Sequence, residues 1–466
     1  MSVRTLPTAL RTRNTQVLNA FITPKSTYRT FQYFRGPGSP EGKRKEQTGP
    51  QRSWNYRACI SSLPVLVGAA AFLVPQESPD QPSSSSLNLP STSDMTSKKS
   101  VVIVGAGGAG ASLARTLSKQ LDPTKHSLIL ISARDHYLHL PGVLRMIVTS
   151  EGKLEDRVLI PYDKLFHNKI GTFHQATVAS IVREGDQGGH VVTDRGEKIP
   201  FDVLVLASGS HWEGGVDVPV RQDEALSFIQ TWRDKFKRAK SIAIVGGGAV
   251  GMELAGEIRD FYKDKKITIV HGQPHLLSSV YPESFRTYMG QRLKDRNISL
   301  ILDDRINNIP SGTVSNVVTE KGVCVEADLV IPTRGGKPNT EYIATLGKTA
   351  LNSAGFVNVD PTLQVTGFPG IFAAGDILDW KEVKQFVKGQ FHVGTLSQNI
   401  LSYLNGKPLT AEYKTKFEGI LLSNGMNGGG SYLGILWGIQ FGDWMTKNIK
   451  SKDLFISGTR KGLGYS

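Results

Sequence analysis

Val101-Val102-Ile103-Val104-Gly105-Ala106-Gly107-Gly108-Ala109-Gly110 decides how this chain folds. Four β-branched residues read as a buried strand, and glycines at G-x-G-x-x-G spacing open a helix predicted over Ala109 to Lys119. In such a turn the first glycine permits the tight reversal and the second opens the backbone to a pyrophosphate. The third lets the new helix pack closely on the sheet. The same arrangement recurs about 140 residues on, where Ile242-Ala243-Ile244-Val245 runs into Gly246-Gly247-Gly248-Ala249-Val250-Gly251. Two such turns imply two bound dinucleotides.

Ser127 to Ile131 supplies a second strand and closes a βαβ unit of the expected size. Val203 to Leu206 is a further strand, ending in the small residues Ala207-Ser208-Gly209-Ser210. The second unit starts at Ser241, returns through Ile267 to Val270 and closes near Leu329 to Pro332. Gly370 to Asp376 (GIFAAGD) is one more apolar strand, and its terminal aspartate is placed to accept a hydrogen bond from a cofactor hydroxyl or to act as a simple turn residue. The fold class predicted is α/β, with two nested Rossmann-type dinucleotide-binding domains and a C-terminal α+β subdomain.

The 466 residues suffice for two or three domains, and 39% apolar content with 49 glycines suits an α/β protein rich in tight turns. The net charge of +14 is uneven: Met1 to Arg57 holds eleven Lys or Arg against Glu41 and Glu46. That leader is rich in Arg, Ser and Thr, the composition of a mitochondrial transit peptide, with a disordered tail or a true start at Met95 as the alternatives. Ala58 to Val74 is uncharged and, as a helix, would reach about 26 Å, a marginal membrane span. Arginines before it and acids after it would orient the body toward the intermembrane space. Residues 76–96 read as a linker, which completes a leader over residues 1–97. Without the leader, a cytoplasmic or membrane-associated location is expected.

Cys59 and Cys324 stand 265 residues apart, so no redox dithiol and no cysteine-based metal site is available. The basic residues Arg233, Lys235, Lys237, Arg238 and Lys240, with Lys263, Lys265 and Lys266, have only Phe236 interleaved. Nucleic-acid binding is therefore not expected. Gly430 to Trp444 gathers Tyr432, Leu433, Ile435, Leu436, Trp437, Ile439, Phe441 and Trp444 ahead of Lys447, Lys450 and Lys452. This pattern suits either contact with a membrane surface or burial in a subdomain or homodimer interface.

The order GAGGAG, ASGS, GGGAVGMELAGE, RGGKPNT and GIFAAGD resembles the two-dinucleotide flavoprotein family of pyridine-nucleotide oxidoreductases over residues 98–465. Within it, Ser132-Ala133-Arg134-Asp135, Arg145, Lys384, His392, Asn399-Ile400 and the tail Lys450 to Ser457 (KSKDLFIS) are most similar to the apoptosis-inducing-factor-like branch, which includes a ferroptosis-suppressing quinone reductase. The resemblance implies FAD on residues 98–215 and 341–405, NAD(P)H on 216–340, and a C-terminal subdomain at 406–466. It places Gly105, Ala106, Gly107, Gly108 and Ala109 at the pyrophosphate, with Gly110 completing the turn. Arg145 would meet a cofactor phosphate or the flavin edge, Val178 the adenine, Asp376 the ribityl chain, and Lys384 the flavin ring.

Two departures shape the expected chemistry. Neither fingerprint is followed by the usual ribose-gripping acid: Ser132 and Arg134 stand after the first, and His271-Gly272-Gln273 after the second site, which is built on Gly246, Gly248 and Gly251. Both NADH and NADPH are therefore expected to bind, with a lean to NADPH. The missing dithiol means electrons leave reduced flavin directly, to a quinone or another small acceptor. Glu253 is placed to face the nicotinamide, or to serve the helix dipole alone. Lys384 stabilises negative charge at the flavin or is a solvated surface lysine. The competing functions are a redox-sensed death-signalling flavoprotein with weak DNA binding and a type II NADH dehydrogenase.

Overall fold

The computed structural model describes residues 98–167, 170–185, 188–310 and 316–465. The leader, including the apolar stretch 58–74, lies outside them.

The first fingerprint strand, β1 (Lys99–Val104), is buried on both faces after its first residue, as an inner strand of a parallel sheet must be. Helix α1 (Gly108–Gln120) carries the chain back to β2 (His126–Ser132), the right-handed crossover that such a strand pair requires. Helix α2 (Leu140–Val148), strand β3 (Gly171–Gln175) and strand β4 (Val203–Leu206) follow. The second fingerprint lies between β5 (Ser241–Val245) and α3 (Ala249–Phe261), succeeded by β6 (Lys266–His271), β7 (Ile298–Leu302) and β8 (Leu329–Pro332). Strand β9 (Ile371–Ala373) and helix α4 (Phe386–Leu404) come next, and a three-stranded antiparallel sheet, β10 (Gly419–Ser423), β11 (Gly429–Leu433) and β12 (Ile439–Phe441), precedes the tail.

Two parallel sheets result, ordered β9-β4-β1-β2-β3 and β7-β6-β5-β8. Strand β9 therefore joins the first sheet after the chain has built the whole second sheet, which nests one unit in the other. The segments entering and leaving the nested unit run side by side: Ser210–His211 pairs antiparallel with Lys337–Pro338. Both parallel sheets have the Rossmann-type arrangement expected from the two fingerprints.

The largest apolar core surrounds the first sheet. A second core contains β5 and β6 residues, but also Val143, Leu144, Met146 and Ile147 of α2 and Leu454 and Ile456 of the tail. Helix α2 follows the first βαβ unit in sequence yet packs in the core of the nested one. Sequence periodicity does not reveal that exchange.

Candidate functional site

Both fingerprints show the same stereochemistry. Gly105 has φ +101°, and a Cβ there would sit 2.3 Å from the Ala207 carbonyl oxygen. Gly246 has φ +127°, and its Cβ would lie 2.7 Å from the Thr333 carbonyl oxygen. A Cβ on Gly110 would fall 1.8 Å from the Gly105 oxygen, and one on Gly251 2.0 Å from the Gly246 oxygen, so the third glycine lets each helix close on its own turn. The middle glycines differ: a Cβ on Gly107 or Gly248 would meet no protein atom within 4 Å. Each of these stands at the N-cap of its helix, without a capping side chain and with no acid in the first turn. Open backbone at an uncapped helix start favours an anion. This fits a dinucleotide pyrophosphate at both places.

At the first turn, small residues let three segments converge. Gly389 of α4 packs on Ala109, and a Cβ at Gly375 would lie 3.5 Å from the Ala109 Cβ, which brings the Gly375-Asp376 turn beside the fingerprint. Phe386 lies against Gly108, and Gln390 donates to the Gly108 carbonyl at 2.9 Å. Tyr162 donates to the carbonyl of Ala106 at 2.8 Å.

Asp376 accepts a hydrogen bond from Ser210 at 3.2 Å. Burial pushes its carboxyl above the usual range, although Ser210 and the charges of Lys384 and His392 oppose this. Lys384 donates to the carbonyls of Leu378 (2.7 Å) and Trp380 (3.2 Å), and burial lowers its pKa against the pull of Glu382, Asp376 and Asp379. It is thus a desolvated cation on a loop rather than a solvated helix lysine.

The Gly375 N–H donates to His392 Nδ1 at 3.0 Å, which leaves His392 Nε2 to donate to Glu382 at 3.1 Å. Tyr413 donates to the other Glu382 oxygen at 2.6 Å, and Lys388 lies 4.0 Å away. Burial pushes Glu382 up, but the bonds from His392 and Tyr413 outweigh it and hold the carboxylate below its ordinary range. This relay orients the turn that carries Asp376. Sequence reasoning missed Glu382 and Tyr413, because only folding brings the 382 loop under α4.

At the second turn, the Gly247 N–H donates to His271 Nδ1 at 3.1 Å, and Thr333 donates to the Gly246 carbonyl at 3.0 Å. Burial lowers the His271 pKa and so favours the neutral imidazole.

Three of the candidate site residues have partners within the protein. Arg145 donates to both Glu257 oxygens at 2.8 Å, to the Ser451 carbonyl at 2.6 Å and to the Lys452 carbonyl at 3.3 Å, so its hydrogen bonds within the protein go to α3 and the tail. Glu253 Oε1 accepts from Lys450 Nζ at 2.6 Å and from the Ser423 N–H at 2.8 Å, which ties it to the tail and to β10. Arg134 donates to the carbonyls of Val218 and Pro219, and Ser132 accepts from the Arg134 N–H at 3.2 Å. Val178 is a buried residue at the start of the antiparallel strand Val178–Arg183.

Of the aromatic run near the C-terminus, Tyr432 packs against Tyr281 and Phe285, whereas Leu436, Trp437 and Trp444 are exposed, Trp437 completely at 101%. Leu436 and Trp437 form the tip between β11 and β12 with φ of +47° and +68°, closed by a Gly438 N–H to Ile435 carbonyl bond of 2.9 Å. Successive left-handed residues at a hairpin tip are ordinarily Asn-Gly; here two bulky apolar residues bear that strain. Among the described residues, no helix is long and apolar enough to cross a membrane.

Two dinucleotide cradles on nested Rossmann-type units define a flavin- and pyridine-nucleotide-dependent reductase. The chain belongs to the pyridine nucleotide-disulphide oxidoreductase family, whose model matches residues 99–394. It is 46% identical over 321 residues to the FAD-dependent oxidoreductase FVFD30 of Flammulina velutipes, covering 69% of this chain and all of that protein. It is 34% identical to apoptosis-inducing factor homolog B of Dictyostelium discoideum and 30% identical to ferroptosis suppressor protein 1 of Homo sapiens, each comparison covering 78% of this chain and 96% of the relative. The sulfide:quinone oxidoreductase structure from Aquifex aeolicus superposes with a TM-score of 0.60 at 18% identity, over 78% of this chain and 92% of that one. FAD and NAD(P)H are the cofactors of this family, and the chain is an FAD-dependent oxidoreductase.

Proposed function

We propose that the chain passes electrons from NAD(P)H through FAD directly to a quinone or similar small acceptor, with FAD at the first fingerprint and NAD(P)H at the second. The observation that carries this is the repeated glycine turn, open at Gly107 and at Gly248, in a chain whose cysteines stand 265 residues apart. When bound, the cofactors supply hydride acceptance and electron release. The protein's part is placement. Gly105 to Gly110 would hold the FAD pyrophosphate, and Asp376, set by Ser210 and by the His392-Glu382 relay, would hold the ribityl chain. Lys384, desolvated and beside Asp376, would offset negative charge near the ring.

A quinone fits because the Aquifex neighbour is named for one, and because the exposed Leu436-Trp437 tip with Trp444 suits contact with a lipid surface from which such an acceptor is drawn. Arg233 is held by Glu155, Lys266 by Glu326 and Lys265 by the Ala239 carbonyl, which supports an electron acceptor over a nucleic acid as partner. The basic leader adds a mitochondrial location to the proposal.

Stopped-flow absorbance on the purified chain tests the reading. NADH or NADPH is expected to bleach the flavin band, and a short-chain quinone to restore it at a rate that accounts for steady-state turnover. Bleaching with no recovery on quinone would remove the quinone assignment.

A further inference from the structure

Strand β6 ends at His271-Gly272-Gln273, where this fold sets the group that reads the ribose 2′ position of a nicotinamide cofactor. No carboxylate stands there. The neighbouring strand β7 supplies something else. The Asp303 N–H donates to the Gln273 carbonyl at 3.0 Å and the Asp304 N–H to the His271 carbonyl at 3.2 Å, so the two strand ends stay bonded beyond the sheet. Arg305 is thereby laid across Gly272. A Cβ built on Gly272 would fall 2.5 Å from Arg305 Nε and 2.9 Å from its Cγ. Gly272 has no positive φ, so its small size serves the arginine rather than the backbone.

The other charged residues at these strand ends have partners among the described residues, although Asp304 Oδ2 is buried without one. Asp303 pairs with Lys321 at 2.7 Å. Asp304 is buried, and its Oδ1 accepts the N–H groups of Arg305 at 2.8 Å and Lys321 at 3.2 Å. Glu320 takes a hydrogen bond from Asn307. Arg305 itself is exposed, and among the described residues its guanidinium makes no hydrogen bond or ion pair. An available guanidinium is matched to a phosphate dianion by both charge and fork geometry.

We propose that Arg305, reaching over Gly272 from the adjacent strand, is the specificity-determining residue that reads the 2′-phosphate of NADPH. The inference rests on NAD(P)H lying at the second fingerprint. It accounts for how a chain with no Arg or Lys at the 271–273 turn accepts the phosphorylated cofactor. Because no acid is present to select the free 2′-hydroxyl, NADH remains a substrate.

The test is calorimetric titration of the purified chain with AMP and with adenosine 2′,5′-bisphosphate, which differ only in the 2′-phosphate. The unaltered protein should bind the bisphosphate about tenfold or more tightly than AMP. Arg305→Gln should bring that ratio near one with AMP affinity unchanged, and Arg305→Lys should keep part of it. Arg305 is exposed, so both variants are expected to fold. The steady-state KM for NADPH should rise in Arg305→Gln while that for NADH stays constant. A bisphosphate preference that survives Arg305→Gln, or equal binding of the two nucleotides by the unaltered protein, overturns the role of Arg305. Failure of the unaltered protein to bind either nucleotide instead overturns the cofactor placement on which the inference rests.

Discussion

Arg145 and Glu257 form a buried bidentate ion pair, both bonds at 2.8 Å, and join helix α2 to the helix of the second fingerprint. Burial, and then the charges of Asp260 and Glu253, raise the Glu257 pKa against the pull of Arg145, so the carboxylate depends on its partner. Arg145→Met should cost about 3–5 kcal/mol in urea unfolding, because it strands a buried carboxylate and two tail carbonyls. Arg145→Met with Glu257→Leu should recover much of that loss. A single variant within about 1 kcal/mol of the parent would show that the pair adds no rigidity.

The glycines separate folding from cofactor retention. Gly110→Ala places a methyl group against the Gly105 carbonyl and should abolish the folded protein. Gly107→Ala has room within the protein, so the chain should fold with unchanged circular dichroism yet purify with little flavin. Gly248→Ala should keep its flavin and lose NAD(P)H affinity at least tenfold, read as the nucleotide concentration needed to bleach it. If Gly107→Ala keeps its flavin and Gly248→Ala loses it, the two cofactor assignments are reversed.

His139 ties the start of α2 to the tail through Nε2, which donates to the Leu454 carbonyl at 2.7 Å. Burial pulls its pKa down to about 4 from the ordinary 6.5. Between those values the unfolded chain binds the proton and the folded chain does not, so stability falls on acidification from pH 6.5 toward 4, by about 3 kcal/mol from this residue. His139→Gln retains an N–H donor and removes the titration. Its unfolding free energy should change less than the parent's over that range, with the difference closing above pH 7. Parallel pH profiles would place the acid sensitivity in other histidines.

Much of the scaffold was legible because parallel strands buried on both faces must be apolar runs and because a dinucleotide turn has few sequence solutions. The helix expected from Ala109 to Lys119 extends one residue further at each end, and the strand ends move by a similar amount. What escaped are contacts distant in sequence. Arg145 and Glu253 carry charges suited to a cofactor, but the cations and carbonyls that claim them lie in the tail, some 200 to 300 residues away. Arg305 was invisible for the same reason, since only the register of β6 with β7 brings it over Gly272. Arg145, Glu253 and His139 all grip the KSKDLFIS tail.

The strained Leu436-Trp437 tip and nearby Trp444 leave large apolar surfaces unpacked, with Lys447 and Lys452 close behind in sequence. Such tips are costly unless their side chains find an apolar environment outside the molecule. Anionic phospholipid vesicles should therefore cosediment with the parent chain and retain a Trp437→Ser/Trp444→Ser variant several-fold less. Turnover with a water-soluble short-chain quinone should be equal in both if, as proposed, the tip serves delivery of the acceptor rather than the chemistry. Turnover with a long-chain quinone embedded in the vesicles should fall in step with binding. If instead the parent sediments as a homodimer that the double substitution splits, with vesicle binding absent in both, the tip belongs to a subunit interface and the acceptor reaches the flavin from solution.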